Sequence, residues 1–298
     1  MPTPTMRVSS TITWLSALIA VLALVAAGSG LFWQGEGDTF TFTTLRGETV
    51  EMYGRGLYRY DTLFTGAGNR GTDAITLLLG IPSLLLSLRL YRRGSLRGGL
   101  LLAGVIAYFL YVYASLALSA AYNNLFLVYI VLFSASLFAL LLAFASVNLQ
   151  ALPAHFSPRL PRLSVAVFMF ASGGVTFVVW LGPLLSALLQ DEPPHLLGSY
   201  TTKVTDVLDL GIITPATFAA GLLILRRAAL GYLVALALLV LEVSLAPLIA
   251  VQTISQVSAG VSFSTGEIVG PMAGFVVLAL LAIRFIVALL RNIAEAPA

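Results

Sequence analysis

Four acidic side chains in the second half of the chain have the type and spacing needed for chemistry inside a membrane. Asp206 and Asp209 are three residues apart, so a helix places both carboxylates on one face. Glu242 lies within the next apolar segment, and Glu267 stands at the start of the last one. Because an ionisable group in a membrane span is costly, each acid invites a functional interpretation. Such a carboxylate can bind a proton or a cation, or act as a general base.

Further polar residues are expected at the same depth as these acids. Lys203 is the predicted counter-ion, with Arg55, Arg59 or Arg70 of the long loop as alternatives. A short polar turn of the first half contributes two asparagines. No catalytic residue is assigned. The predicted ligand- or ion-binding residues are Asp209, Glu242, Asp206, Asn123, Asn124 and Glu267.

The same acids also have structural interpretations. Asp206, Asp73 and Glu267 can each cap the start of a helix, where a carboxylate is stabilised by the positive end of the helix dipole. Glu242 is the deepest acid, and an unpaired carboxylate at that depth is strongly disfavoured. It is therefore expected to be protonated, or paired with Lys203 or an arginine.

The composition defines the class of protein. The 298 residues are 59% hydrophobic and 10% charged, and the mean hydropathy is +0.97, whereas about a quarter of a soluble domain is charged. With no cysteine and two histidines, the chain offers few ligands for haem or zinc, so no metal and no cofactor is predicted. The basic residues are divided among short loops, a pattern typical of membrane topology and not of nucleic-acid binding.

Eight apolar segments approach the roughly 20 residues that a bilayer requires. They predict an all-α integral membrane protein with about eight transmembrane helices in a single domain, residues 1–298. The first segment is interpreted as a retained helix and not as a cleaved signal peptide. The predicted spans are about 11–33, 73–90, 98–121, 125–147, 163–189, 228–250 and 267–290, and the sixth span lies in the stretch 205–231, between Asp206 and Arg226.

Residues 34–72 form the one long loop between predicted spans. Within it Thr39–Leu45 alternates with period two, and Glu48–Tyr53 can pair back after a turn, which predicts a small β-hairpin. The glycines of Gly66–Gly71 predict turns. This loop is also the surface on which a protein partner is expected.

Basic residues predict the orientation. With the amino terminus inside, ten arginines fall in inner segments, and five basic residues fall in outer segments, four of them in the long loop. By the positive-inside rule the chain is a multi-pass protein of the cell membrane with both termini in the cytoplasm.

The two halves share a plan that predicts an internal repeat, residues 11–150 and 163–292. Each half has a span that opens with Thr-Asp, is broken by glycine and proline, and ends at an Arg-Arg pair. Four spans per repeat give both repeats the same orientation. The repeat predicts that the second and sixth spans pair, with Pro82 and Pro215 at similar depth.

These features favour an outward-facing acidic site for proton- or cation-linked transport, or for binding of a small solute, an ion or a membrane lipid. Two alternatives remain open. One is a membrane-embedded enzyme that acts on a lipid-linked substrate, with Asp209 or Glu242 as general base. The other is a non-catalytic sensor or assembly subunit.

Overall fold

The computed structural model describes residues 6–294, and for residues 265–271 it describes the backbone but not the side chains. Within this range eight helical spans are long and apolar enough to cross a membrane, which confirms the prediction of a multi-pass helical membrane protein. The helices are α1 (Ser10–Phe32), α2 (Leu63–Ile75), α3 (Ile81–Arg92), α4 (Leu96–Ser119), α5 (Phe126–Ala145), α6 (Arg162–Gln190), α7 (Val204–Leu208), α8 (Thr214–Leu225), α9 (Ala229–Ser258) and α10 (Thr265–Arg291).

The second and sixth spans are each interrupted by a π-helical turn. Residues Thr76–Gly80 join α2 to α3, and residues Asp209–Ile213 join α7 to α8. A proline follows each turn, and its missing N–H cannot donate to the helix. The breaks that the sequence predicts in these two spans therefore lie at a π-turn that is followed by a proline.

The predicted hairpin is present in the long loop. Strand β1 (Phe40–Thr43) pairs antiparallel with β2 (Thr49–Met52), with Phe42 opposite Val50. All of β1 is exposed, as expected for a two-stranded ribbon that stands at the end of a helical bundle.

The second span begins earlier than predicted. Thr62 caps α2 by accepting a hydrogen bond from Thr65 N at 3.2 Å, so the predicted turns over Gly66–Gly71 are wrong and these residues are helical. The glycines serve close packing. A Cβ at Gly71 would lie 2.5 Å from Gln252 Cα on α9, and one at Gly66 would lie 2.7 Å from Tyr53 Cβ. The glycine content predicted turns. The structure shows instead a helix whose glycines allow close packing against α9 and Tyr53.

Loops from different parts of the chain meet at the end that carries the hairpin, which we call the hairpin end (residues 33–62, 120–125, 191–203 and 259–264). Asp61 Oδ1 accepts from Ala121 N at 2.8 Å and from Tyr200 Oη at 2.7 Å. Arg46 Nη2 donates to the carbonyl of Gly198 at 2.7 Å. These contacts join the three loops that connect the first six spans in pairs.

The opposite end, here the arginine end (residues 6–9, 93–95, 146–161, 226–228 and 292–294), is joined in the same way. Met6 forms an antiparallel bridge with Val147, and Phe156 forms one with Ile293. Arg97 Nη2 donates to the carbonyl of Ile293 at 2.6 Å. Because successive loops alternate between the two ends, successive spans run in opposite directions.

Helix α4 is the most buried of the eight spans. It packs against α3, α5, α7 and α9, and α9 in turn packs against α2, α8 and α10. The second span and the sixth span therefore do not form the predicted pair in the described part of the chain, because α4 and α9 lie between them.

Replacement of Gly71 by alanine tests the close approach of α2 and α9. We expect Gly71→Ala to lower the free energy of unfolding by about 1–3 kcal/mol through overpacking, measured as a lower melting temperature in detergent. Gly28→Ala is the matched control, because a Cβ there meets nothing within 4 Å and alanine favours a helix. Equal melting temperatures for the two variants would contradict this packing.

Candidate functional site

The sixth span brings two predicted carboxylates and their predicted counter-ion together. Asp206 lies in the first turn of α7, where Lys203 Nζ is 3.5 Å from its Oδ2. Asp209 opens the π-turn and accepts a hydrogen bond from Tyr111 Oη of α4 at 3.1 Å. Asp206 is 2% exposed and Asp209 is 4% exposed, so both carboxylates are enclosed by the bundle.

Glu242 has a different partner from either predicted alternative. Its Oε1 accepts from Ser172 Oγ of α6 at 2.7 Å, and it has no described ion pair with Lys203 or an arginine. No described hydrogen bond joins it to Asp206 or Asp209. The predicted acidic residues are therefore divided between two contacts, one between the sixth span and α4 and one between α9 and α6.

The remaining predicted residues do not join this contact. Asn123 closes its own turn, since Oδ1 accepts from Leu125 N at 2.9 Å and Nδ2 donates to the carbonyl of Ala121 at 3.2 Å. Asn124 is exposed. The side chain of Glu267 lies outside the described residues.

Asp73 forms a second buried acidic cluster that the sequence analysis assigned to helix capping. That interpretation is wrong, because α2 starts at Leu63 and Asp73 lies inside it, 2% exposed. Tyr58 Oη donates to Asp73 Oδ2 at 2.7 Å, and Tyr129 Oη lies 3.5 Å from Tyr58 Oη. Burial, and then the charge of Asp73, raises the pKa of Tyr58 well above its usual value. Tyr58 therefore keeps its proton and remains a donor.

Helix α4 presents one tyrosine to each π-turn. Tyr108 Oη is 3.1 Å from Thr76 Oγ1, in the turn that follows Asp73, and Tyr111 contacts Asp209 in the other turn. The side chain of Tyr108 is buried and that of Tyr111 is half-buried. Their hydroxyl groups make the polar contacts between α4 and the two interrupted spans.

Asp61 is a functional candidate that the sequence analysis missed. It is fully buried at the hairpin end, where its Oδ1 holds Ala121 and Tyr200 while its Oδ2 has no hydrogen-bond partner. Burial raises the pKa of Asp61 to about 6, against the lowering effect of those two hydrogen bonds. Its position in a glycine- and tyrosine-rich loop gave no periodic signal that could have revealed its burial.

Two cavities accompany these residues. A cleft of about 800 Å³ lies at the hairpin end between β2, the start of α2, the end of α6 and residues 192–198. A groove of about 380 Å³ lies between α3, α4, α9 and α10, and its lining is apolar except for three serines and Tyr108. Neither cavity is lined by Asp209 or Glu242.

The site has no metal-ligand geometry in the part of the chain that is described, since no three Asp, Glu or His side chains come together there. Comparisons with protein-family models, with curated proteins and with solved structures find no match for this chain. The functional argument therefore depends on the site itself.

The buried Asp61 predicts a specific pH dependence. The pKa of this carboxyl rises from about 3.8 to about 6 on folding, so between these pH values the folded protein binds a proton that the unfolded chain has released. Its contribution to stability is therefore present at pH 4 and is lost as the pH rises through 6.

We expect Asp61→Asn to remove this dependence. Relative to the variant, the wild type should lose on the order of 2–3 kcal/mol of unfolding free energy between pH 4 and pH 7, measured as melting temperatures over that range. Asp38→Asn, at an exposed position, is the control and should follow the wild type. A constant difference between wild type and Asp61→Asn would contradict the assignment.

Proposed function

We propose that this protein binds a proton or a small cation at Asp209 and couples that binding to movement of a solute across the membrane. The observation that carries the proposal is the environment of Asp209. This carboxylate is almost fully enclosed by apolar helices, and its described hydrogen-bond partner is the neutral hydroxyl of Tyr111. A buried carboxylate without a basic partner is stabilised by taking up a proton or a cation.

The neighbouring acid strengthens this interpretation. Asp206 shares the helix face of Asp209 and already has Lys203 as its ion-pair partner. The one nearby amine is thus engaged by Asp206, and Asp209 keeps an uncompensated charge when it is ionised. A monovalent cation or a proton fits this balance better than an anionic ligand does.

The break in the sixth span supplies a means of coupling. The amide of Thr214 donates to the carbonyl of Asp209, five residues earlier, and Pro215 follows. Asp209 is therefore part of the wide turn, and occupation of its carboxylate acts directly on the backbone at the point where the span is weakest. Glu242 of α9, which accepts a hydrogen bond from Ser172 of α6, is a second carboxylate for a relayed proton.

We also infer that the chain contains two repeats related by a shift of 133 residues, the separation of Asp73 and Asp206. The same shift relates the two π-turns and the two prolines that follow them. It also relates Gly98 to Gly231, each of which packs against the end of the preceding helix.

The ends of the two halves support the repeat independently. Each half begins with a segment that forms an antiparallel bridge to the residues after its fourth span, Met6 with Val147 and Phe156 with Ile293. In this arrangement Asp73 is the counterpart of Asp206, and the two clusters lie on either side of α4. The repeats then have the same orientation in the membrane.

The orientation follows from the charges of the two ends. The arginine end and the helix termini next to it carry ten arginines, whereas most acidic residues lie at the hairpin end. By the positive-inside rule we place the arginine end in the cytoplasm and the hairpin end outside the cell membrane.

Action on a lipid-linked substrate is the second candidate. The apolar groove between α3, α4, α9 and α10 favours it, because that groove has the composition of an acyl-chain site. Tyr108 is part of its lining, and the hydroxyl of Tyr108 lies 3.1 Å from Thr76 Oγ1, in the turn that follows Asp73.

A melting experiment tests the cation site. Purified protein is melted at fixed pH with sodium, potassium or calcium chloride, or with a panel of lipids. A cation present at 100 times its Kd should stabilise the wild type by about 2.7 kcal/mol. Asp209→Asn should abolish this stabilisation, since the amide can still accept from Tyr111 but carries no charge.

Asp38→Asn, which removes an exposed carboxylate from the loop, is the matched control and should keep the full response. Stabilisation that persists in Asp209→Asn would refute the site. Stabilisation by a lipid and by no cation would instead support the second candidate.

Labelling of single cysteines tests the orientation, because the natural chain contains no cysteine. An impermeant maleimide added to intact cells should label Glu36→Cys and Glu192→Cys at the hairpin end. It should label Gln150→Cys at the arginine end only after the cells are permeabilised. The reverse pattern would overturn the proposed topology.

A further inference from the structure

The groove of about 380 Å³ between α3, α4, α9 and α10 has the length of a lipid chain. Helices α4 and α9 pack against each other, while α3 packs on α4 and α10 packs on α9. Along α3 and the turn before it, the lining extends from Ile75 to Leu90, which is roughly 22 Å at 1.5 Å per residue. One leaflet of a bilayer contains about 15 Å of hydrocarbon, so an acyl chain can lie along this groove.

The groove opens sideways towards the membrane. Leu79 and Leu86, which belong to its lining, are both exposed on the outer surface of the bundle. No charged residue belongs to its described lining. A lipid chain can therefore enter from the side without passing through the loops at either end of the bundle.

The hydroxyl groups of the lining already have partners inside the protein. Ser87 Oγ and Ser244 Oγ each donate to the carbonyl four residues earlier, both at 2.8 Å. Tyr108 Oη lies 3.1 Å from Thr76 Oγ1. Because these groups are satisfied internally, they do not require a polar ligand, and the groove mainly offers apolar contact.

The face of α3 that lines the groove leads to an arginine. Leu79, Ser83, Leu86 and Leu90 all line the groove, and their spacing of three or four residues places them on one side of the helix. The next position in this series is Arg93, which directly follows the last residue of α3 and is exposed. One side of the span is thus apolar along the groove and positively charged at its end.

This arginine lies at the level of the lipid headgroups. The second span covers 30 residues, Leu63–Arg92, or about 45 Å, which equals the thickness of a bilayer with its headgroup regions. Arg89 and Arg92 are exposed beside Arg93, and the described residues of the arginine end include no aspartate or glutamate. The charge at this end of the groove therefore favours a phosphate.

The arginine end of the groove is held in place without a ligand. Arg97, in the first turn of α4, donates from Nη2 to the carbonyl of Ile293 at 2.6 Å. Leu101, one turn further along α4, and Ile286 of α10 both line the groove. The hydrogen bond from Arg97 keeps the end of α10 beside the start of α4, so these two sides of the groove are fixed relative to each other.

We propose that this groove binds an anionic phospholipid from the leaflet at the arginine end. One acyl chain lies along the lining from Leu90 towards Ile75, and the phosphate is held by Arg93, with Arg89 one turn away. The apolar lining selects a lipid chain, and the arginines select a negatively charged headgroup. The proposal depends neither on cation binding at Asp209 nor on any reaction of the lipid.

Native mass spectrometry of the full chain in detergent tests the headgroup contact. The protein is titrated with phosphatidylglycerol or with phosphatidylcholine that carries the same acyl chains. We expect one phosphatidylglycerol to bind more tightly than any phosphatidylcholine. Arg93→Gln should weaken phosphatidylglycerol binding about fivefold, the effect of one basic residue near a membrane surface, and should leave phosphatidylcholine binding unchanged.

The matched control is Arg226→Gln. This arginine is exposed at the same end of the molecule and lies 133 residues after Arg93, but it follows α8, which does not line the groove. The control variant should bind phosphatidylglycerol as the wild type does.

Occupation of the groove by the chain is tested separately from charge. Ser83→Phe places a ring at the exposed rim of the groove and should weaken the binding of both lipids. Leu85→Phe places the same ring at an exposed position of α3 that does not line the groove, and it should bind as the wild type does. Both positions are exposed, so both variants should keep the melting temperature of the lipid-free protein.

Three outcomes would overturn the proposal. In the first, Arg93→Gln and Arg226→Gln weaken binding equally, which shows general attraction to the arginine end. In the second, Ser83→Phe binds both lipids as the wild type does, so the chain lies elsewhere. In the third, glycerol phosphate, which has no acyl chain, displaces phosphatidylglycerol at an equal concentration, which shows a site for free phosphate.

Discussion

Inside a membrane a carboxylate finds no water, so the protein itself must supply every contact that stabilises it. The acids of this chain meet that constraint mainly with hydroxyl groups. Tyrosine or serine hydroxyls donate to the carboxylates of Asp73, Asp209 and Glu242, and to Asp61 at the hairpin end, whereas Asp206 has a described basic partner. In each hydroxyl–carboxylate pair the donor and the acid come from different segments of the chain, so these acids also hold the bundle together.

The position of α4 follows from the same constraint. This helix is the most buried span, and it contributes polar side chains in two directions. Tyr108 contacts Thr76 in the second span, and Tyr111 contacts Asp209 in the sixth span. Because both contacts lie at π-turns, α4 links the two points where the spans depart from a regular helix. Both interrupted spans therefore share α4 as a hydrogen-bond partner.

Polar contacts with a different role occur between α2 and α9. The glycines of α2 allow the backbones to approach, and Gln252 then donates to Thr72 Oγ1 at 2.8 Å while Gln256 donates to the carbonyl of Phe64 at 3.0 Å. Small residues and interhelical hydrogen bonds are the usual means of helix association in lipid. These contacts hold the start of α2 against the last turns of α9.

Local patterns in the sequence predict the eight spans and the hairpin, because apolar length and period-two alternation are properties of neighbouring residues. These patterns do not determine that Gly66–Gly71 is helical, that Asp61 and Asp73 are buried, or that Ser172 holds Glu242. Each of these depends on a residue far away in the chain. Such contacts form only when distant segments of the chain pack together and water is excluded between them.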